Sequence, residues 1–262
     1  MKPANDQSAF PWIVAHRGAM DEAPENTRSA IDAALTYGID GIELDVQMTR
    51  DSRLVLFHDH DMQKISGRRE SIGECDYQDL RRLDWGAWHS EAFRGEGLPS
   101  LERTVDSYAH KTRLLIEIKS FEEDRRAGRS LELTARVVDL LDDRVAQADQ
   151  DNILILSFDP AVLSYARRRA QRQWRLVLNT HPLSNPLEDA ELAEHLFAYS
   201  ASIAHLETTA TNRWREAGKR VMTWTCNRPE DVDRALDIGC DVIMTDRPGW
   251  IVEYLKAGTS DR

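Results

Sequence analysis

Cysteine is scarce in this chain: Cys75, Cys226 and Cys240 are the only three among 262 residues. Their number is odd, their spacing fits no zinc pattern, and a chain of this length needs no disulfide staples. Free thiols of a reducing compartment are therefore expected. Long apolar runs are also missing, and none approaches the length of a membrane span. The opening MKPANDQSAFPW lacks the apolar stretch of a signal peptide, so no leader and no stable membrane insertion are expected, and the expected location is cytoplasmic. Positive charge is in deficit, with a formal net charge of -11. That balance disfavours non-specific binding to nucleic acid or to an anionic membrane, both of which need a basic face. An anionic substrate would need a bound cation or a few placed basic residues. No glycine-rich GxGxxG or P-loop follows any apolar run, which argues against the common nucleotide-binding folds. Internal repeats and low-complexity segments are absent too.

What the chain does have is an apolar content of 41%, enough for a sizeable core. Short apolar runs alternate with helical patterns. Strands are expected at Trp12 to Ala15, from Gly41, at Leu114 to Ser120 and at Ile153 to Phe158. Four more are expected at Trp174 to Asn179, Phe197 to Ile203, Val221 to Cys226 and Val242 to Thr245. Thr27 suits a helix N-cap, with Ala30, Ile31, Ala34 and Leu35 at helical spacing behind it. Gly38 closes that helix, and Pro160 opens a later one. Further helices are expected over Leu101 to Ala109, Ser130 to Ala146, Thr208 to Gly218 and Pro229 to Asp237, with a loop from Pro182 to Pro186 leading into an acidic helix. Eight strands, nearly all followed by helices, imply parallel pairing with right-handed crossovers. In about 250 residues that pattern suggests a closed (β/α)8 TIM barrel, with a doubly wound open sheet as the alternative. No domain boundary is evident over 1–262. The stretch from His60 to Pro99 has weak periodicity and reads as a small insertion after strand 2.

The chemistry-bearing residues fall where strands end. Glu43 and Asp45 are two apart in an apolar run, so a strand would turn both carboxylates to one face. Leu54 to Phe57 forms a hairpin-like extension that ends at His58. His16 and Arg17 follow the first strand, Glu117 and Lys119 close the third, and Trp224, Asn227 and Asp246 close the last two. Three carboxylates without clustered cysteine or histidine suit a hard divalent cation, Mg²⁺ or Ca²⁺, with Mn²⁺ also admissible and zinc disfavoured. Two histidines beside it would supply an acid and a base near neutral pH. Arg17 and Lys119 would suit phosphate oxygens. Plainer readings exist for each: a solvated strand edge for Glu43 and Asp45, an Arg17–Glu43 salt bridge, a Glu117–Lys119 pair, and simple packing for Trp224. His89, His110, His181 and His195 fall in loops or helices and are not expected in the site.

Taken in order, these residues resemble the glycerophosphodiester phosphodiesterase family. The match runs through His16-Arg17-Gly18, Pro24-Glu25-Asn26-Thr27, Glu43-x-Asp45, His58-Asp59, Leu98-Pro99-Ser100-Leu101-Glu102 and Glu117-x-Lys119. Ser157-Phe158, Trp224-Thr225-x-Asn227 and Thr245-Asp246-x-Pro248 complete it. Leu-Pro-Ser-Leu-Glu stands where Ile-Pro-Thr-Leu-Glu is commoner, at positions with no catalytic part. The resemblance implies a (β/α)8 barrel with an insertion after strand 2. It implies Glu43, Asp45 and Glu117 as metal ligands, His16 and His58 as the acid–base pair, Arg17 and Lys119 on the substrate phosphate, and Trp224 against the glycerol carbons. The implied reaction is metal-dependent hydrolysis of a small glycerophosphodiester to glycerol 3-phosphate and an alcohol. Water or the substrate's own 2-hydroxyl would be the nucleophile, and the residues leave that choice open. Two rivals are a phospholipase D-like hydrolase of lysophospholipids or sphingomyelin, and a non-catalytic phosphate- or glycerol-binding barrel. The first would want an apolar surface near Trp88, Phe93 and Leu98. Oligomeric state is not legible.

Overall fold

The computed structural model describes residues 11–181 and 190–260. Eight parallel strands close into a barrel: β1 (Trp12–His16), β2 (Gly41–Met48), β4 (Arg113–Ile118), β5 (Ile153–Ser157), β6 (Arg175–Thr180), β7 (Leu196–Ser202), β8 (Arg220–Trp224) and β9 (Val242–Thr245). β1 pairs with both β2 and β9, which seals the cylinder. A further strand, β3 (Leu54–Leu56), runs antiparallel to the end of β2 as the hairpin extension. Each barrel strand except β2 is followed by a helix that packs outside, as the right-handed crossover requires. Strand and helix limits depart from the sequence reading by a few residues. A short helix at Glu122–Arg126 was not foreshadowed; its run of Glu, Arg and Asp has no apolar face to announce it. The loop expected at Pro182 to Pro186 lies outside the described residues.

Local chemistry explains the element boundaries that matter. Thr27 caps the helix Arg28–Leu35, its hydroxyl accepting from the Ala30 amide at 3.3 Å. Asp159 caps the helix Pro160–Arg169, which begins on proline. There the fixed φ suits the first turn and the missing N–H costs nothing. Between β1 and the first helix, Arg17 and Gly18 both take positive φ, 57° and 89°. A β-carbon on Gly18 would lie 2.7 Å from the Ala30 backbone. Only glycine allows that turn to press against the helix.

The side chains sort into three regions. A large core of aliphatic residues lies between strands and helices, including Ile42, Leu44, Val46, Leu114, Ile116 and Val138. Inside the barrel, Val14, Leu115, Leu154, Val177, Met222 and Val242 form a second apolar layer. Below that layer the N-terminal ends of the strands are closed by aromatic and guanidinium groups. Trp12 stacks on Phe197 at 6.2 Å, Arg113 lies 4.0 Å over Trp12, and Arg175 lies 5.0 Å over Phe197. The third region is the small core of the segment His60 to Pro99. There Met62, Ile72, Leu80, Trp85 and Leu98 pack on Val55 and Phe57 of the hairpin. Trp85 meets Phe57 edge-on at 5.5 Å and donates its indole N–H to the Leu80 carbonyl. The segment is thus anchored beside the mouth where β2 and β3 end.

Candidate active site

In a closed parallel barrel, residues in register on neighbouring strands face the same side. His16 is in register with Glu43, and Asp45 with Glu117. The pleat turns all four inward at the C-terminal mouth, where barrel sites are built. A cavity of about 110 Å³ opens there. It is lined by His16, Arg17, Glu43, His58, Glu117, Lys119 and Trp224, joined by Leu156, Phe158, Asn179 and Met244. Asp45 lies just behind this lining, and its carboxylate shares one cluster with those of Glu43 and Glu117, with oxygens all within 4.8 Å of one another. The eight candidate residues of the sequence reading therefore meet in one place.

The three carboxylates are buried but differ in their partners. Asp45 accepts from Lys119 Nζ at 3.0 Å and from Asn26 Nδ2 at 2.8 Å, and pairs by charge with Arg17, whose Nε stands 3.2 Å away. Burial pushes its pKa up, but the charges of Lys119 and Arg17 outweigh it and hold Asp45 well below the usual carboxylate range. Glu117 accepts from Lys119 Nζ at 2.7 Å and from Asn179 Nδ2 at 3.0 Å. Among the described residues the Glu43 carboxylate receives only the Arg17 backbone N–H, at 3.2 Å on Oε2. Its Oε1 is buried with no hydrogen-bond partner among the described residues. Burial first, then the charges of Asp45 and Glu117, raise the Glu43 pKa well above the ordinary value.

An unpartnered buried carboxylate oxygen is costly unless something cationic meets it. The donors on offer are all oxygens, the set a hard divalent cation takes. Charge points the same way: Arg17 is shared with Glu25, so Arg17 and Lys119 do not balance the three acids, and a divalent cation would supply the missing positive charge. The residues present therefore fit such a cation, held by Glu43, Asp45 and Glu117.

Both histidines carry a carboxylate on Nδ1. His16 Nδ1 meets Asp246 Oδ1 at 2.7 Å, while its Nε2 stands 3.9 Å from Glu43 Oε2. Asp246 is itself held by Asn227 Nδ2 at 2.6 Å, and Asn227 Oδ1 accepts from the Thr245 hydroxyl and the Asp246 amide. Burial works against the charge on Asp246, but His16 and Asn227 keep its pKa below the ordinary carboxylate value. His58 Nδ1 meets Asp59 Oδ1 at 2.8 Å. The backbone on either side of His58 is pinned by Gln47, whose amide donates to the carbonyls of Phe57 and Asp59 at 3.0 and 2.8 Å.

Some plainer alternatives are realised in part. Lys119 does pair with Glu117, but also with Asp45. Arg17 pairs through its side chain with Asp45 and Glu25 rather than with Glu43. Several neighbours carry no function in the sequence reading. Asn26 clamps Asp45 through both its amide groups, accepting from the Asp45 N–H as well as donating to its carboxylate. Asp246 and Asn227 were noted only as polar strand ends. The Pro-Glu-Asn-Thr and Thr-Asp-x-Pro motifs were the signal that could have assigned them. Phe158 meets Trp224 edge-on at 5.8 Å and stacks on His181 at 4.7 Å, which brings that histidine to the rim. Ser157 is structural: its hydroxyl donates to the Ile118 carbonyl.

Barrel and mouth together define an acid-lined (β/α)8 site with paired imidazoles. Residues 16–250 match the model of the glycerophosphoryl diester phosphodiesterase family. The chain belongs to this family and is an enzyme of the phosphoric diester hydrolase class. It is 27% identical over 250 residues to a glycerophosphodiester phosphodiesterase of Caldanaerobacter subterraneus, covering 94% of this chain and 98% of the relative. It is 27% identical over 248 residues to one of Bacillus subtilis, covering 90% and 83% respectively. The same fold occurs in an Oleispira antarctica phosphodiesterase solved in complex with the product sn-glycerol-3-phosphate, at a TM-score of 0.82 and 22% identity, covering 95% of this chain and 98% of that one. The family is generally metal-dependent. Among the described residues no helix is long and apolar enough to cross a membrane.

Proposed function

We propose that the protein hydrolyses glycerophosphodiesters to glycerol 3-phosphate and an alcohol, with one divalent cation on Glu43, Asp45 and Glu117 and with His16 and His58 as the acid–base pair. The observation that carries this reading is the buried, unpartnered Glu43 Oε1 within a three-carboxylate cluster, in a cavity lined by both histidines. When bound, a cation there supplies positive charge against the phosphate oxygens and lowers the pKa of a coordinated hydroxyl. Arg17 and Lys119 add fixed positive charge at the same place. Burial opposes the charge on Lys119, but Asp45 and Glu117 raise its pKa and keep it protonated. A carboxylate on each Nδ1 favours the tautomer with hydrogen there, which leaves Nε2 as the atom that moves a proton. One imidazole takes the proton of the attacking hydroxyl as its oxygen bonds to phosphorus. The other gives a proton to the alcohol oxygen as the second P–O bond breaks. Trp224 and Phe158, edge to face, offer an apolar wall for the glycerol carbons.

The lysophospholipid and sphingomyelin reading gains nothing from the surface near the insertion. Leu98 is buried, Trp88 and Phe93 are half-buried, and the exposed large hydrophobic among the described residues, Leu131, belongs to the helix Arg129–Arg144 and not to the insertion. The test is a panel of glycerophosphodiesters assayed with Mg²⁺, Ca²⁺, Mn²⁺ and EDTA. Glycerol 3-phosphate should appear, disappear on chelation and return with added cation. Full activity after exhaustive chelation would sink the metal assignment, and no turnover of any diester would sink the substrate assignment.

A further inference from the structure

Beside His58, the segment His60 to Pro99 builds a small cage around a lysine. Lys64, on the short helix Gln63–Ser66, holds its ammonium 4.1 Å from the centre of the Trp88 ring and 2.5 Å from Glu25 Oε2. The Trp88 ring is fixed from behind, with its indole N–H on the Trp85 carbonyl and His89 against its edge. Glu25 is nearly covered, at 7% side-chain exposure, while Lys64 is 37% exposed. An aromatic face with a desolvated carboxylate beside it is a recognition site for a quaternary or primary ammonium group. Here the protein's own side chain fills it. The second Glu25 oxygen is taken as well, by Arg17 Nη1 at 3.2 Å.

The cage adjoins the reacting groups. Glu25, His58 and Asp59 bring their polar atoms within 4.8 Å of one another, and His58 lines the cavity. Trp224, the wall for the glycerol carbons in the reading above, stands on β8. His58 and the cage stand off the end of β2, separated from β8 by β1 and β9 around the barrel. With glycerol on the Trp224 side, the alcohol group of the diester extends toward Lys64.

We infer that Lys64 is a specificity-determining residue, a tethered cation that occupies the Trp88–Glu25 cage and so selects against diesters of cationic alcohols such as choline. The ammonium has three N–H donors. One serves Glu25, and the exposed side of the group remains for hydroxyls, so diesters of polyols are the class admitted. This inference rests on the proposed hydrolysis of glycerophosphodiesters, and its test separates the two.

The kcat/KM values for glycerophosphocholine and glycerophosphoglycerol are compared in the wild type, in Lys64→Ala and in Lys64→Ala/Trp88→Ala. The single variant should raise the choline-to-glycerol ratio about tenfold, between the sizes of an exposed and a desolvated cation–π contact. The second substitution should return it to the wild-type value. A ratio within about twofold of wild type in Lys64→Ala, or a gain that survives loss of Trp88, would overturn the inference; twofold is below the weakest cation–π contact. Calorimetric titration with choline chloride reads the cage without turnover: Lys64→Ala should bind choline, and the wild type and double variant should not. Wild type inactive on both diesters would refute the hydrolytic reading, and the choline titration would still decide the cage. No choline binding by Lys64→Ala would refute the cage itself.

Discussion

The two ends of this barrel each hold two cationic side chains and use them differently. At the floor, Arg113 and Arg175 lie over the rings of Trp12 and Phe197. Arg113 donates to the Asp40 carbonyl at 3.2 Å, its Nε has no partner among the described residues, and burial lowers its pKa. Its stem and planar head act chiefly as packing. At the mouth, Arg17 and Lys119 stand among carboxylates. Burial again works against their charge, yet Asp45 with Glu25 and Glu117 respectively raises both pKa values. Cationic side chains thus plug one end of the barrel and electrify the other. What differs is the presence of convergent acids. A barrel can place stability at one face and chemistry at the other because the apolar layer of Val14, Leu115, Val177 and Met222 separates them.

That separation makes substitutions at the two ends fail in different assays. The largest effect should come from His16→Ala or His58→Ala, each lowering kcat by about 1,000-fold, as loss of a general acid or base does. Thermal unfolding should hardly move; a large drop in melting temperature at unchanged kcat would reverse the division of labour. At the floor, Trp12→Ala should cost about 2 kcal/mol of stability through the packing against Phe197 and Arg113 that it removes. Denaturant titration should register that loss while kcat stays near wild type. A smaller mouth effect is expected from Asp246→Asn, which keeps the shape but removes the anion behind His16. It should cut kcat by about 100-fold with little change in KM, the scale of losing a group that orients a catalytic one. Partial recovery in Asp246→Glu would mark orientation of His16 rather than general damage.

The smallest effect concerns Glu43 and pH. Its pKa is raised in the folded state, so between the ordinary carboxylate range and that raised value the folded chain holds a proton that the unfolded chain has lost. Without cation, this group's contribution to stability therefore falls as pH rises through that window. A cation competes with the proton for the same oxygen. Added Mg²⁺ should raise the melting temperature more at about pH 8 than at about pH 5. Glu43→Gln should abolish most of that difference, and a pH-independent shift in the wild type would remove Glu43 from the ligand set.

How far the sequence could be read follows from the range of each interaction. Period-two spacing suffices to put Glu43 and Asp45 on one face, because strand geometry is local. Thr27 and Pro160 mark helix starts for the same reason. The barrel itself follows from alternation and length. Three things were not legible. Lys119 reads as a phosphate ligand from its place at a strand end, but its bonds to Asp45 and Glu117 depend on the β2–β4 register. Asn26 reads as a turn residue, and only the folded turn at Arg17 and Gly18 reveals its hold on Asp45. The Trp88–Lys64–Glu25 cage joins segments whose sequence has no periodicity to link them.

One contact has a consequence for how the enzyme comes into being. His16 and Asp246 are 230 positions apart, one ending the first barrel strand and the other just past the last. During synthesis the three acids, Lys119 and both imidazoles emerge long before Asp246 does. A nascent chain can hold the acidic half of the site while His16 still lacks its anchor. On the role proposed for His16, oriented catalysis has to wait until β9 docks between β8 and β1, the last and least local pairing of the fold. Hydrolytic activity would then report, during refolding as well as on the ribosome, that the ring has closed.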